Sequence, residues 1–156
     1  MRIATEELVK QYQDRLYAAA LSICKNPEDA EDVVQDVFLK YHTSSKEFCD
    51  EEHLKAWLLR LIINRGRDLW RRRTVRNVTP LSDLLPSTSF ASKEASELFF
   101  AVMSLPPKYR MVVHLYYYED YPVSDIAGLL HISESNVKIR LMRARKELKQ
   151  YLTEDD

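Results

Sequence analysis

Three charged stretches of this sequence have the composition to bind a charged partner, two of them basic and one acidic. Seven arginines and one acid lie between residues 60 and 76, and six bases and one acid lie between residues 138 and 149. Five acids and no base lie between residues 28 and 36. The formal net charge of the 156 residues is only −1, so charge is separated along the chain rather than in excess. Two separate basic stretches predict two contacts with a polyanion such as a nucleic acid.

The basic stretch near the C-terminus falls on the second helix of a predicted helix-turn-helix. A short helix opens near Pro122, residues 131–133 form a turn, and Ser133 is a good N-cap for a longer helix. The second helix of this motif lies in the major groove of DNA. With Val137 and Leu141 turned inward, the opposite face presents Ser135, Asn136, Lys138, Ile139, Arg140, Met142 and Arg143.

The side chains on that face suit both kinds of DNA contact. Lys138 can donate to guanine, and Asn136 can pair with adenine at the base edges. Ile139 and Met142 can touch thymine methyl groups, whereas Arg140, Arg143, Arg145 and Lys146 suit phosphates. The alternative is an ordinary helical hairpin with a solvated basic face, and the caps and the six bases favour DNA binding.

The earlier basic stretch predicts a second binding face on another helix. Its polar members are spaced four, three and four residues apart and therefore share one narrow stripe; they are Arg60, Asn64, Arg67 and Arg71. An apolar stripe with Trp57 lies beside them, and the alternative is again a solvated basic face. Gly66 inside this helix costs roughly 1 kcal/mol relative to alanine, which close approach to a backbone or a base would explain.

The acidic stretch predicts a docking surface for a basic partner. Asn26 as N-cap and Pro27 at the first helical position predict a helix start here, and the first acids complement the helix dipole. Asp29, Asp32 and Asp36 share a face of this helix, with Gln35 between them. A metal site would need carboxylates that converge from separate elements. The four residues Cys24, His42, Cys49 and His53 match no zinc spacing, and the sequence holds no glycine-rich phosphate loop. We therefore expect no metal, no cofactor and no catalytic residue.

The arrangement of apolar residues predicts an all-α fold of two small helical domains joined by a flexible linker. Two glycines are too few for a fold of hairpins, and apolar residues recur at steps of three and four. We expect three helices in residues 1–73, a linker over residues 74–91 with a short apolar piece at 81–85, and four helices in residues 92–156. The first residues lack an apolar signal core and no run approaches the ~20 residues that span a bilayer, so the sequence predicts a cytoplasmic location.

Three passages in this order resemble the short extracytoplasmic-function (ECF) sigma factors of the sigma-70 family. Residues 29–38 resemble the family's polymerase-docking helix, and residues 56–64 resemble its −10 helix. Leu105-Pro106, Arg110, residues 124–127 and residues 132–145 resemble its −35 domain. Ser135, Asn136 and Ile139 stand where the family often has Gly, Thr and Ser, which we expect to change the promoter sequence rather than the fold.

The resemblance implies a factor that directs core RNA polymerase to promoters and is not an enzyme. It implies that Asp29, Asp32, Gln35 and Asp36 bind the clamp helices of the largest polymerase subunit, and that the polymerase flap region is a further partner. The loop at 43–52, together with Asn64, would capture a flipped −10 base. The family also implies an anti-sigma factor that can hold the chain at the inner face of the membrane, with no direct insertion of the chain itself.

Two other classes of protein account for less of this sequence. A stand-alone repressor needs two symmetric copies of the helix-turn-helix and leaves the acidic helix and the Asn64 stripe without a role. A DNA-acting enzyme needs a nucleophile or a metal cluster, for which the sequence offers no candidate. Specific binding of duplex DNA by the protein alone would favour the repressor.

Overall fold

The computed structural model describes residues 1–73 and 93–154, and the chain divides into two compact units, Met1–Val78 and Thr79–Asp156. The described residues form helices, turns and loops with no strand among them, which confirms the all-α class. The predicted linker at 74–91, with its apolar piece at 81–85, lies outside the described residues.

The first unit is a bundle of three helices that all pack on one another: α1 (Thr5–Cys24), α2 (Pro27–Thr43) and α3 (Glu51–Arg73). The predicted cap of α2 is confirmed, because the Asn26 side chain accepts a hydrogen bond from the Asp29 backbone N–H at 3.0 Å. Pro27 occupies the first helical turn, where its missing N–H costs nothing. The core is formed by the expected apolar stripes, which include Leu8, Leu16, Val33, Leu58 and Ile62.

Gly66 lies where α3 packs against Ile23 of α1. A Cβ built on Gly66 would lie 3.0 Å from Ile23 Cγ2 and 3.2 Å from Ile23 Cδ1. The glycine is buried and therefore cannot touch a base. Glycine at this position lowers the helix propensity by roughly 1 kcal/mol relative to alanine, and its missing side chain allows the two helices to pack closely.

The second unit contains α4 (Lys93–Met103), α5 (Pro107–Val113), α6 (Val123–Leu130) and α7 (Glu134–Glu154), with α7 packed on the other three. The end of α5 widens into a π-helical turn over His114–Tyr118. Arg110 is buried and donates to the carbonyl oxygen of Leu105 at 2.9 Å, which ties α5 to the chain that follows α4. The core of this unit includes Val102, Leu105, Tyr109, Val113 and Ala144.

The helix-turn-helix formed by α6 and α7 is built as the sequence predicts. His131 ends α6 in the left-handed conformation, with a φ of 57°, and its N–H bonds to Ala127 O. Ser133 Oγ accepts from the backbone N–H of Asn136 at 3.1 Å, so Ser133 caps α7 as expected. Val137, Leu141 and Ala144 are buried, which fixes the opposite face of α7 outward.

A buried histidine makes the stability of the second unit depend on pH. The His114 ring stacks on Tyr118, and its Nε2 lies 3.8 Å from a Glu119 carboxylate oxygen. Burial lowers the pKa of His114 to about 4, although Glu119 acts in the opposite direction. The unfolded chain therefore takes up a proton below pH 6.5 that the folded unit does not, and stability falls as the pH drops from 6.5 towards 4.

We expect the second unit to lose about 2 kcal/mol of stability between pH 7 and pH 5, since one pKa unit is worth about 1.4 kcal/mol. His114→Leu should remove most of this loss, whereas His131→Leu, which changes an exposed histidine, should retain it. Amide hydrogen exchange in α5 and α7 of the full chain, corrected for the intrinsic rate, measures the difference. An equal pH dependence in wild type and His114→Leu would contradict the assignment.

Candidate nucleic-acid interfaces

The predicted reading face of α7 is exposed in the structure. Ser135, Lys138 and Arg143 are exposed, and the apolar side chains of Ile139 and Met142 remain 42% and 60% accessible. Apolar side chains left in solvent beside cations are typical of a surface that contacts a partner. The face therefore offers one ammonium, guanidinium groups and two apolar contacts to a groove.

Asn136 and Arg140 differ from their neighbours because they are half-buried and bonded to each other. Arg140 Nε donates to Asn136 Oδ1 at 3.1 Å, one helical turn apart. Pairing of an asparagine with adenine uses the amide oxygen as acceptor and the amide nitrogen as donor. Here Arg140 occupies one of the two acceptor positions of that oxygen and competes with a base for it, whereas the NH₂ group does not take part in this bond.

Arg145, which the sequence places among the phosphate-binding arginines, is engaged inside the unit. Its Nε donates to the Tyr117 hydroxyl at 2.6 Å, and its guanidinium carbon lies 5.6 Å from the ring centroids of Tyr116 and Tyr117. Sequence reasoning did not indicate this contact, although Tyr116 and Tyr117 belong to a run of three tyrosines at 116–118. The arginine thus links α7 to the π-helical turn.

The polar stripe of α3 also lies at the surface. Arg60, Asn64 and Arg71 are exposed, and Arg67 is half-buried. Because they are spaced four, three and four residues apart on a helix, the four predicted residues lie along one side of it. Arg71 forms a 3.8 Å ion pair with Asp68, which lies three residues earlier on the same helix. Trp57 precedes Asn64 by two turns on the same side and is only half-buried. Sequence reasoning assigned Trp57 to the apolar stripe alone and missed its exposed part.

The loop at 44–50, between α2 and α3, is anchored by an aromatic cluster. Phe48 is 2% exposed, and its ring lies 6.2 Å from Tyr41 and 5.3 Å from Trp57 between centroids. The backbone N–H of Cys49 donates to His53 Nδ1, and Asp50 Oδ1 caps α3 by accepting from His53 N at 2.8 Å. The loop is therefore a fixed surface beside Trp57 rather than the plain polar loop that the sequence indicates.

The acidic face of α2 lines a cleft against α3. Asp32, Gln35 and Asp36 are exposed along one wall, and Arg65 and Arg72 contribute to the other. The cleft holds about 320 Å³. No ion pair joins Asp32 or Asp36 to another residue within the described ranges, so both carboxylates are available to a partner.

Asp29 does not share that exposed face, contrary to the expectation from its spacing. It lies in the first turn of α2, is 5% exposed and makes contacts within the unit. Its backbone N–H is already used by the Asn26 cap. A buried carboxylate cannot reach a docked helix, so we remove Asp29 from the predicted docking residues.

The described residues hold no group of three or more His, Cys, Asp or Glu side chains placed to bind a metal ion. Of the candidate zinc ligands, Cys24 is buried, Cys49 is exposed, and His42 Nδ1 lies 2.9 Å from Thr5 Oγ1. Among the helices at 5–73 and 93–154, none is long and apolar enough to cross a membrane.

Known proteins match both units. The family model for sigma-70 region 2 matches residues 8–76, and that for sigma-70 region 4 matches residues 96–148. The ECF RNA polymerase sigma factor SigM of Bacillus subtilis is 30% identical over 152 residues, which cover 92% of each chain. Two solved structures, each covering 97% of this chain, are also similar. The sigma factor RpoE in complex with the anti-sigma factor NepR from Bartonella quintana has a TM-score of 0.73, with 23% identity and 98% of that chain covered. CnrH in complex with the cytosolic domain of CnrY has a TM-score of 0.66, with 28% identity and 89% covered.

These matches define a transcription initiation protein with sigma-70 regions 2 and 4. The chain belongs to the ECF RNA polymerase sigma factors of the sigma-70 family. It binds core RNA polymerase and promoter DNA and directs the polymerase to its promoters. The predicted membership of the ECF sigma factors is confirmed, and a stand-alone repressor is set aside.

Proposed function

We propose that the two units divide promoter recognition between them. We also propose that this chain acts in the cytoplasm and catalyses no reaction itself. In this proposal the first unit docks on polymerase and holds the opened −10 element, and the second unit reads the −35 element. The observation that carries it is the pair of separate exposed faces on α3 and α7, each with cations beside apolar or aromatic surface. A single DNA contact would leave one of these faces without a role.

The face of α3 is suited to single-stranded DNA. Single strands bind where cations follow the phosphates and aromatic rings stack on bases. Arg60, Arg67 and Arg71 supply the cations, Trp57 supplies a partly exposed ring, and Asn64 supplies both a donor and an acceptor for a base edge. Holding an unstacked base offsets the few kcal/mol that unstacking costs.

The separation of the loop at 44–50 from Asn64 supports contacts with different bases. Phe48 packs on Trp57, and Asn64 lies seven residues further along α3, about 10 Å along the helix axis. Successive stacked bases of one strand lie 3.4 Å apart, so this distance corresponds to about three base steps. We propose that the loop takes one unstacked base and that Asn64 contacts another at some distance along the strand.

The cleft between α2 and α3 is the proposed polymerase site. Asp32, Gln35 and Asp36 would bind a basic helix of the polymerase clamp, and Arg65 and Arg72 could pair with acids on the same partner. Unit two would contact the flap region of the polymerase. Catalysis of RNA synthesis stays with the core enzyme, and this chain contributes binding only.

The face of α7 is the proposed −35 reader, with Ser135, Lys138, Ile139 and Met142 at base edges and Arg143 at the backbone. Because Arg140 holds the amide oxygen of Asn136, we revise the predicted adenine contact. Asn136 should donate to an acceptor such as guanine O6 or N7, or thymine O4.

Arg140→Met should release the Asn136 amide and raise the preference for adenine at one −35 position by about tenfold, which equals roughly 1.4 kcal/mol. Arg143→Met removes the same charge from an exposed residue on the same helix and should weaken all −35 sequences alike. Selection from a promoter library randomised at −35, with holoenzyme, measures both. A uniform loss for both variants would contradict the role given to the Arg140–Asn136 bond.

An anti-sigma factor is the proposed regulator of this chain. The structurally similar sigma factor RpoE was solved in complex with the anti-sigma factor NepR, and CnrH was solved in complex with the cytosolic domain of CnrY. The exposed faces of both units are surfaces that such a partner would cover. Affinity purification from uninduced cells should recover a second protein in place of core polymerase, and recovery of core polymerase alone would argue against it.

The proposed function as a whole is tested by reconstituted transcription. Core polymerase with this protein is given a library of genomic fragments, and the 5′ ends of the transcripts are sequenced. We expect start sites that share one −10 and one −35 element at fixed spacing. Starts that share neither element, or specific duplex binding by the protein without core polymerase, would contradict the proposal.

A further inference from the structure

The first three residues of the chain are fastened to the loop at 44–50 and to the end of α2. Met1 N donates to Phe48 O at 2.6 Å, and Phe48 N donates to Met1 O at 3.0 Å. Ile3 N donates to the Tyr41 hydroxyl at 3.1 Å, and that hydroxyl donates to Ile3 O at 2.6 Å. Two reciprocal pairs of hydrogen bonds thus bind residues 1–3, which we call the strap.

Arg2 bridges the two parts that the strap connects. Its guanidinium carbon lies 4.3 Å from the centroid of the Tyr41 ring, a distance at which a cation is attracted to the ring. Arg2 Nη2 donates to Tyr41 O at 2.7 Å, and Arg2 Nη1 donates to Lys46 O at 3.3 Å. The planar guanidinium donates to two carbonyl oxygens while it lies over the ring, whereas lysine would offer a compact ammonium without this fixed fork of donors.

The strap contacts the part of the first unit that borders the face of α3 proposed to hold the −10 element. Tyr41 and Phe48, its two partners, belong to the aromatic cluster with Trp57, and both are almost fully buried. Lys46, whose carbonyl Arg2 holds, lies in the middle of the loop. Every contact of the strap therefore restrains the loop or the ring beneath it.

We propose that Arg2 is a positioning residue that holds the loop at 44–50 in the shape in which it selects an unstacked promoter base. The proposal rests on the role proposed above for that loop. Arg2 contacts Tyr41 and Lys46 and acts through them, so its loss should loosen selection without removing a base contact of its own. Sites held by rigid supporting groups lose precision when the support is removed.

The first measurement is amide hydrogen exchange of the full chain. Arg2→Met keeps an apolar stem over Tyr41 but removes both hydrogen bonds to carbonyl oxygens. We expect exchange at the Phe48 amide to accelerate at least tenfold, with α1 unchanged. Lys10→Met is the control, because it removes one positive charge from an exposed site on α1. It should change exchange neither at the Phe48 amide nor in α1. Unchanged exchange at Phe48 in Arg2→Met would overturn the strap as a restraint.

The second measurement is selection by the holoenzyme from promoters randomised across −10. Arg2→Met should reduce the base preference at one position about tenfold while the other positions keep theirs. Arg2→Lys should behave in the same way, because lysine restores the charge but not the fork. Full recovery by Arg2→Lys would overturn the proposal and assign Arg2 to a phosphate, as would an equal loss on every sequence.

A loop variant separates this proposal from the function on which it rests. Ser45→Ala combined with Lys46→Ala removes two exposed loop side chains and leaves their backbone in place. If this double variant loses the same base preference and Arg2→Met does not, the loop is the selector and the strap proposal is wrong. If the double variant keeps the preference, the proposed role of the loop fails, and the positioning role of Arg2 fails with it, although the exchange result at Phe48 still stands.

Discussion

Asp36→Lys is expected to lower the affinity for core RNA polymerase by at least a hundredfold while the first unit stays folded. Asp36 is exposed on the wall of the cleft between α2 and α3, and no described residue pairs with it. A lysine there would meet the basic partner that the carboxylate attracts, and like charges in contact cost several kcal/mol. Because the side chain is exposed, the melting temperature should change little.

Glu31→Lys is the matched control for this prediction. It makes the same charge reversal at an exposed position of α2 that does not line the cleft. We expect its affinity to stay within about threefold of the wild type, since an exposed charge that does not face the partner is screened by solvent and salt. Titration of labelled core enzyme with each variant gives the comparison. Wild-type affinity for Asp36→Lys, or an equal loss for Glu31→Lys, would remove the cleft as the docking site.

Asn64→Ala is expected to abolish base preference at one position of the −10 element. Asn64 is exposed on α3, and an amide that reads a base edge is worth about 1–3 kcal/mol of discrimination. Open-complex formation on the native promoter should therefore slow by roughly 5- to 150-fold. On a promoter whose −10 segment is already mismatched, the lost preference should persist, because the contact is to the unpaired base itself.

Arg60→Ala gives the contrasting result that a phosphate contact predicts. Arg60→Ala should slow the opening of all promoters by a similar factor and leave the base preference unchanged. It should also lower the slope of log affinity against log salt concentration by about one, because one phosphate contact is lost. Fluorescence of a base analogue in the −10 segment follows opening in both variants. Loss of base preference in Arg60→Ala, or none in Asn64→Ala, would reverse the roles assigned on α3.

Local signals explain what could be predicted from the sequence. The caps at Asn26 and Ser133 depend on neighbouring residues only, and both are present as predicted. The faces of α3 and α7 follow from helical period, because buried Val137 and Leu141 leave Lys138 and Met142 outside. The helix-turn-helix and the all-α class follow from the same two kinds of signal.

Contacts between distant residues account for what the sequence did not indicate. The strap joins residue 2 to residue 41, and no period or cap records such a pairing. Phe48 is a single aromatic residue in a polar stretch, so its burial depends on Tyr41 and Trp57. The burial of Asp29 depends on how α2 packs within the unit, which spacing alone does not show.

The division of promoter recognition between the two units is tested most directly by one library randomised at both −10 and −35. Holoenzymes carrying Asn64→Ala or Lys138→Ala are compared with wild type by sequencing the promoters they open. We predict that Asn64→Ala changes base preference at −10 only and that Lys138→Ala changes it at −35 only. A change at both elements in either variant, or at neither in both, would contradict the division.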